Sequence, residues 1–200
     1  PLDWSGFRIL ILVGVACALV VVAAFDLTAP IIADKQNRAL QAALATVLPG
    51  ARSQRAFALS AAGRFEPWQG TGMHDGVVFA GYDAGQDLVG FAIPAVGMGY
   101  QDRIRLLYGY RPGRQAIVGL RILESRETPG LGARIRTDPG FLRNFTGLAV
   151  VLAASGTTLE HPIELARAGR ERRPWQIDAI TGATVSSRAV AEILRRSTQY

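Results

Sequence analysis

Four short runs between Val77 and Leu123 decide the fold: Val77-Val-Phe-Ala-Gly-Tyr82, Leu88-Val-Gly-Phe-Ala-Ile93, Ile104-Arg-Leu-Leu-Tyr-Gly-Tyr110 and Ala116-Ile-Val-Gly-Leu-Arg-Ile-Leu123. They are rich in β-branched and aromatic residues, which favour strands. The segments Asp83-Ala-Gly-Gln-Asp87 and Arg111-Pro-Gly-Arg114 carry turn residues. Because these connections are too short for a crossover, adjacent runs are expected to pair as antiparallel hairpins.

The flanking segments add helices to this sheet. The stretch Asp138–Phe145 predicts a short helix capped by Asp138, and Leu148–Ala154 is a further strand-like run. Near the C-terminus an apolar stripe at helical spacing predicts an amphipathic helix, formed by Val185, Ala189, Val190, Ile193 and Leu194. The segment 51–76 has a weak pattern and is expected to be mostly irregular. The fold class is therefore α+β around an antiparallel sheet.

A run without charge, Ile9–Phe25, precedes this domain. Its roughly 17 residues span about 25 Å as a helix, near the lower end for a membrane span. A secretory signal is the alternative, but its apolar region is usually only about 7–15 residues long. A second, amphipathic helix is expected to begin at a Thr28 cap, with Pro30 in its first turn, and to end at Pro49. The expected division is a transmembrane anchor at 1–27, a linking helix at 28–50 and a folded domain at 51–200.

Composition excludes several classes of function. The chain is 49% apolar and 19% charged, so it is expected to fold, and its net charge of +6 is spread along the sequence. The densest basic cluster contains Arg167, Arg170, Arg172 and Arg173 without a nucleic-acid motif, and a solvated loop is the better interpretation. The only cysteine, Cys17, lies in the apolar run. With His74 and His161 interpreted as surface residues, no protein-held metal and no nucleic-acid partner are expected.

The segment Asp178-Ala-Ile-Thr181-Gly182-Ala183-Thr184 comes directly before the C-terminal helix. Gly182 permits a sharp turn. Thr184 is then at or near a helix N-terminus, where free amides and the helix dipole favour an anion such as a phosphate. Ser186 and Ser187 could donate further hydrogen bonds to it. Taken alone, the same residues fit an ordinary N-cap equally well.

This segment resembles the Asp-x-x-(Ser/Thr)-Gly-Ala-Thr pattern recognised by flavin transferases of the ApbE type, with every specified position met. Those enzymes cut FAD and transfer its FMN part to the last threonine of the pattern. The resemblance therefore implies FMN bound covalently, by a phosphoester, to Thr184. It also implies that Asp178, Thr181, Gly182 and Ala183 belong to the cofactor-binding segment.

A second segment, Glu127-Thr128-Pro129-Gly130-Leu131-Gly132, resembles a stretch found in RnfG (RsxG) subunits. Pro129-Gly130 suits the centre of a type II turn, because proline presets the first dihedral and glycine accepts the positive one. An ordinary tight turn is the alternative. Next to the flavin motif, the resemblance implies a rigid loop against which a flavin lies, with Glu127, Thr128, Gly130, Leu131 and Gly132 as binding residues.

The resemblance covers nearly the whole chain and implies an electron-carrier subunit of a membrane-bound Rnf complex, which couples ferredoxin/NAD electron transfer to ion translocation. It implies other Rnf subunits, a flavin transferase and the lipid bilayer as partners, without complete activity of the chain alone. The implied location is the bacterial inner membrane, with the flavin domain on the periplasmic side. Alternatives are an NqrC-like subunit of a sodium-pumping NADH:quinone reductase, another FMN-binding regulator or reductase, and a membrane-tethered scaffold without flavin.

Overall fold

The computed structural model describes residues 4–60, 63–70, 76–154, 156, 158–166 and 171–199. His74, Arg167 and Arg170, for which the sequence predicted surface positions, lie outside these ranges. The described part of the chain separates into two units, one ending at Ala39 and the other beginning at Leu40.

The first helix, α1, runs without interruption from Trp4 to Val47. The prediction of two helices meeting at Thr28 is wrong, because the Thr28 hydroxyl donates to the carbonyl groups of Ala24 and Phe25 within the helix instead of capping a new one. Pro30 lies inside α1 and cannot donate the bond that other residues make to the carbonyl four positions earlier. By length and composition α1 can cross a membrane, with a mean hydropathy of 2.8 over its most apolar 18 residues, all exposed.

The second unit is built on a seven-stranded antiparallel sheet with the order β2-β1-β3-β4-β5-β6-β7. Its strands are β1 Ser53–Leu59, β2 Phe65–Pro67, β3 Val77–Tyr82, β4 Leu88–Met98, β5 Arg103–Arg111, β6 Ala116–Glu124 and β7 Leu148–Ala149. A separate parallel pair joins β8, Glu164–Leu165, to β9, Gln176–Ile177. The remaining helices are α2, Pro139–Arg143, and α3, Thr184–Ser197.

One face of the sheet is covered by the end of α1. Leu44, Val47 and Leu48 are buried there against β3, β4 and β5. Glycines on adjacent strands allow this close approach: a methyl group at Gly109 would overlap the carbonyl oxygen of Val47, and one at Gly119 would lie 2.8 Å from the Val47 Cα. The end of α1 is therefore part of the domain core.

The other face carries the larger core, in which α3 packs against β4 and β8 and shares one buried cluster with β5 and β6. Val190 and Leu194 of α3 are fully buried among Ile104, Leu106 and Tyr108 of β5. This packing fixes the position of the first turn of α3, where the sequence placed the candidate site.

The α+β class and the four central strands predicted from the sequence are confirmed. The short helix is also confirmed: the Asp138 carboxylate accepts a hydrogen bond of 2.9 Å from the Phe141 amide. The prediction that 51–76 is mostly irregular is wrong for β1 and β2, which form by pairing with β3 and with each other. The run Leu148–Ala154 contributes only the two residues of β7 and an isolated bridge at Leu152.

Candidate functional site

The segment after β6 forms the predicted tight turn. The Leu131 amide donates to the Thr128 carbonyl over 3.2 Å, and Gly130 has a φ of 76°. A positive φ at the third residue together with this hydrogen bond defines a type II turn with Pro129 and Gly130 at its centre. A 3-10 helix, Gly132–Arg136, follows directly.

A second turn of the same kind leads into α3. The Ala183 amide donates to the Ile180 carbonyl over 2.9 Å, and Gly182 has a φ of 84°. Ala183 occupies the N-cap position without a capping side chain, and Thr184 is the exposed first residue of the helix. Thr184 is therefore not the cap, so the capping interpretation of this residue is wrong.

Glu127 joins three separate parts of the chain. Its Oε1 accepts hydrogen bonds from the backbone amides of Tyr100 (2.7 Å) and Gln101 (3.2 Å), in the turn between β4 and β5. Its Oε2 accepts one from the Ser186 hydroxyl, at 2.5 Å, in the first turn of α3. Since Glu127 is 5% exposed, these bonds stabilise a buried acidic group and hold the three segments together.

The three segments line one cavity of about 290 Å³ that is open to solvent. Both sequence motifs contribute to its wall, together with the exposed ring of Tyr100. The lining residues are Tyr100, Glu127, Thr128, Leu131, Gly132, Gly182, Ala183, Thr184, Val185 and Ser186. The fold thus brings two motifs that are about fifty residues apart in sequence to the same small cavity.

Two residues of the motif face elsewhere. Asp178 and Thr181 line a neighbouring cavity of about 510 Å³ together with Arg134, Arg143 and Arg172. There the Asp178 carboxylate pairs with the Arg172 guanidinium at 3.4 Å. Most of the predicted site residues are therefore divided between two cavities that share the segment from Asp178 to Thr184, whereas Gly130 and Ser187 line neither cavity.

In the larger cavity, two of the three arginines form ion pairs with the two aspartates. The hydrogen bond from the Phe141 amide lowers the pKa of Asp138, and the Arg134 guanidinium, 2.9 Å away, lowers it further. A second nitrogen of Arg134 donates to the Thr181 carbonyl at 3.2 Å. Arg134 thus connects the helix cap of α2 to the turn that precedes Thr184.

Ser187 does not reach either cavity. It is fully buried, its hydroxyl donates to the Ala183 carbonyl at 2.9 Å, and it accepts from the Ile180 amide at 3.1 Å. Both of these contacts lie within the turn that contains Gly182. The expectation that Ser187 donates to a phosphate is therefore wrong; it stabilises the turn instead. The same expectation is wrong for Ser186, because its hydroxyl donates to the Glu127 carboxylate.

Sequence reasoning missed two residues that organise the site. Tyr100 lines the cavity, and Asn144 exchanges hydrogen bonds with the backbone of Asp178, at 3.0 Å and 3.1 Å. Asn144 is 3% exposed, so this pairing fixes the start of the motif. No local pattern marks either residue, because each acts on a segment far away in the sequence.

Comparison with known proteins gives the class to which this fold and site belong. Residues 99–199 match the model of the FMN-binding domain, and the chain belongs to that family. The matched range contains both turns and every residue of the smaller cavity.

Within that family the chain is similar to the G subunits of ion-translocating oxidoreductase complexes. It is 32% identical to the G subunit from Methanosarcina acetivorans over 71% of this chain and 70% of that protein. It is 36% identical to the one from Pectobacterium atrosepticum over 51% of this chain, which spans only 44% of that relative. The expectation of an FMN-binding subunit of the RnfG type is confirmed.

The fold is similar to that of solved structures of a related protein. Shewanella oneidensis NqrC superposes with a TM-score of 0.63 at 18% identity, over 82% of this chain and 93% of that one. The corresponding protein of the Na⁺-translocating NADH-quinone reductase from Parabacteroides distasonis gives 0.59 at 18%, over 83% and 92%. At this level of identity the likeness establishes the fold alone.

The residues of the smaller cavity fit an FMN group. The amides of Thr184, Val185 and Ser186 make no hydrogen bond to another described residue and precede the first helical bond, from the Ser187 amide to the Ala183 carbonyl. They offer donors and a positive helix end to a phosphate. Leu131 and Val185, each 52% exposed, offer apolar surface to a flat ring.

Proposed function

We propose that this chain is an electron-carrier subunit of a membrane-bound Rnf-type complex, with FMN joined to Thr184 by a phosphoester. The complex would be a translocase that couples electron transfer between ferredoxin and NAD to ion translocation. This subunit alone would not have the complete activity. The relatives, which are G subunits of ion-translocating oxidoreductase complexes, support this assignment over an NqrC-like role, for which the chain offers similarity of fold only.

The observation that carries the proposal is the single cavity formed by both motifs. Thr184 lies at its edge, exposed, with the free amides of the first turn of α3 beside it. A phosphate on the Thr184 hydroxyl would lie at the positive end of a helix of 14 residues. This arrangement suits an acceptor threonine better than a residue whose only role is structural.

Each part of the cavity then has a separate task. The loop from Glu127 to Gly132 provides a rigid wall through Glu127, Thr128, Leu131 and Gly132, and Gly130 forms its turn. Gly182 and Ala183 keep the approach to Thr184 free of large side chains. Ser186 holds the Glu127 carboxylate, and Ser187 holds the turn. When bound, the flavin supplies one-electron transfer.

The position of Asp178 and Thr181 suits a different task, recognition during maturation. Both are exposed and line the cavity next to the one that contains Thr184. A flavin transferase of the ApbE type could therefore contact these two residues while Thr184 accepts FMN. The covalent bond would retain the flavin in an open cavity, from which a free FMN could dissociate.

The length of α1 supports a membrane-anchored location. A membrane span needs about 20 residues, and α1 has 44. We assign residues 1–27 to the span, and we move the domain boundary expected at residue 51 to Leu40, because the compact unit begins there and the end of α1 covers the sheet. The proposed location is the bacterial inner membrane, with the flavin domain facing the periplasm. An impermeant thiol reagent should therefore label an Arg114→Cys variant in intact cells, because Arg114 is exposed.

Replacement of the acceptor tests the proposal directly. The purified full-length protein should carry a mass increment the size of FMN on the peptide that contains Thr184, and should fluoresce in a denaturing gel. Thr184→Ala should remove both signals and leave a folded protein, because Thr184 is exposed and does not cap α3.

Thr198→Ala is the matched control. Thr198 follows the other end of α3, where its hydroxyl donates to the Leu194 carbonyl at 2.8 Å. This variant should keep both flavin signals. Flavin that survives Thr184→Ala would overturn the acceptor assignment, and a wild-type protein without flavin would favour the scaffold alternative.

A further inference from the structure

The Glu127 carboxylate lies between two glycines, Gly132 and Gly99, that cannot be replaced by larger residues without steric overlap. A methyl group at Gly132 would lie 2.6 Å from its Oε2, and one at Gly99 would overlap its Oε1. Three donors from two distant segments reach this carboxylate, the amides of Tyr100 and Gln101 and the hydroxyl of Ser186. These contacts together fix its position in the cavity wall.

The charge of this carboxylate is not balanced by a neighbouring cation. Among the described residues no lysine, arginine or histidine forms an ion pair with Glu127. The adjacent Arg126 is exposed and pairs with Asp102 at 3.4 Å instead. Among the residues that line the cavity, Glu127 is the only acidic or basic one. Its field therefore acts on the cavity without a counter-charge among the described residues.

We infer that Glu127 lowers the reduction potential of the flavin held in this cavity. Reduction transfers one electron from an external donor to the flavin, and the added negative charge is repelled by a fixed carboxylate in the same wall. The reduced form is destabilised relative to the oxidised one, so the potential falls. This inference rests on the proposed function, because it assigns to Glu127 an electrostatic effect on the flavin carried by Thr184.

Glu127→Gln in the full-length protein isolates the charge from the shape. The glutamine amide has nearly the same size, its oxygen can accept from the Tyr100 and Gln101 amides, and its nitrogen can donate to the Ser186 oxygen. The expected result is a flavin that remains attached and a midpoint potential, measured by spectroelectrochemistry, that is more positive than in the wild type. Glu124→Gln removes the same charge from an exposed position at the end of β6 and should leave the potential unchanged.

Ser186→Ala provides an independent test with the opposite sign. It keeps the carboxylate but removes one of its three donors, so more of the negative charge acts on the cavity and the potential should fall. A purely structural role of Glu127 predicts that both variants loosen the same contact and change the potential in the same direction. If Glu127→Gln does not fold, the direction of the change in Ser186→Ala decides the question.

The possible failures are distinguishable. A wild-type protein that carries no covalent flavin would contradict the proposed function. A second outcome is that the variants retain the flavin while the potential of Glu127→Gln is unchanged or more negative than that of the wild type. That result would overturn the inference about Glu127 and leave the proposed function standing. A change in the Glu124→Gln control equal to that in Glu127→Gln would also overturn it, because the effect would then come from the overall charge of the domain.

Discussion

Thr184 and Glu127 act at the residue scale through different properties. Thr184 is exposed and free of a capping role, whereas Glu127 is buried and held by three hydrogen bonds. The first property makes a hydroxyl available for modification, and the second fixes the wall beside it. The sequence motifs predicted both positions, but the contacts of Glu127 with Tyr100 and Ser186 could not be predicted. They depend on the fold, which brings residues 27 and 59 positions away to the same carboxylate.

Gly132 should not tolerate a side chain, because an added methyl group would lie 2.5 Å from the Ser186 hydroxyl oxygen. Gly132→Ala is expected to lower the free energy of unfolding by about 1–3 kcal/mol, the usual cost of overpacking, and to reduce the ratio of flavin to protein. Urea unfolding and absorption spectroscopy measure the two effects. Gly147→Ala, where a methyl group would meet nothing within 4 Å, should change stability by less than about 0.5 kcal/mol. Equal effects of the two variants would contradict this view of the cavity wall.

At the scale of elements, the sequence predicts best where a segment carries its own signal. The four central strands and α3 have clear periodic patterns and appear close to their predicted positions. The strand β1, Ser53–Leu59, was missed because its alternation is weak and its main partner, β3, lies some twenty residues further on. The continuity of α1 was missed for the opposite reason, since a local signal, Thr28 followed by Pro30, was interpreted as the start of a second helix.

The last turns of α3 contain an ion pair network whose contribution should depend on pH. Hydrogen bonds from Arg195 and then Arg196 lower the pKa of Glu192 from its ordinary 4.5 to about 2. Because the pKa is lower in the folded state, the stabilisation is fully present above about pH 4.5 and is lost as the pH falls towards 2. The wild type should be more stable than Glu192→Gln at pH 6, by no more than about 1 kcal/mol for so exposed a network.

Urea unfolding of both proteins between pH 2 and pH 7 measures this difference. The difference in the free energy of unfolding should disappear as the pH falls from about 4.5 towards 2. It should also be smaller at high salt concentration. A gap of the same size at pH 2 and pH 6 would show that Glu192 acts through packing rather than charge.

At the scale of the whole molecule, the anchor and the folded domain share one helix. The division expected from the sequence placed the domain start at residue 51, whereas the compact unit begins at Leu40. The apolar residues at the end of α1 were visible in the sequence, but the face of the sheet that they cover was not. The structure shows how the helix reaches the strands: the backbone of Val47 lies directly against Gly109 and Gly119.

Truncation distinguishes the part of α1 that belongs to the domain from the part that anchors it. A chain of residues 36–200 keeps Leu44, Val47 and Leu48, which are nearly fully buried against β3, β4 and β5. It should be soluble, unfold cooperatively and accept flavin at Thr184. A chain of residues 51–200 loses these side chains, each worth about 1.5–3 kcal/mol when buried.

That loss approaches the whole stability of an ordinary domain, about 5–15 kcal/mol. Residues 51–200 should therefore aggregate or show no cooperative thermal transition, although they contain every lining residue of the cavity proposed for the flavin. Leu44→Ala within residues 36–200 is the intermediate case and should cost about 2–5 kcal/mol. Size-exclusion chromatography and thermal unfolding compare the three. If residues 51–200 unfolded at the same temperature as residues 36–200, the end of α1 would be a linker only, and the sheet would be stable without it.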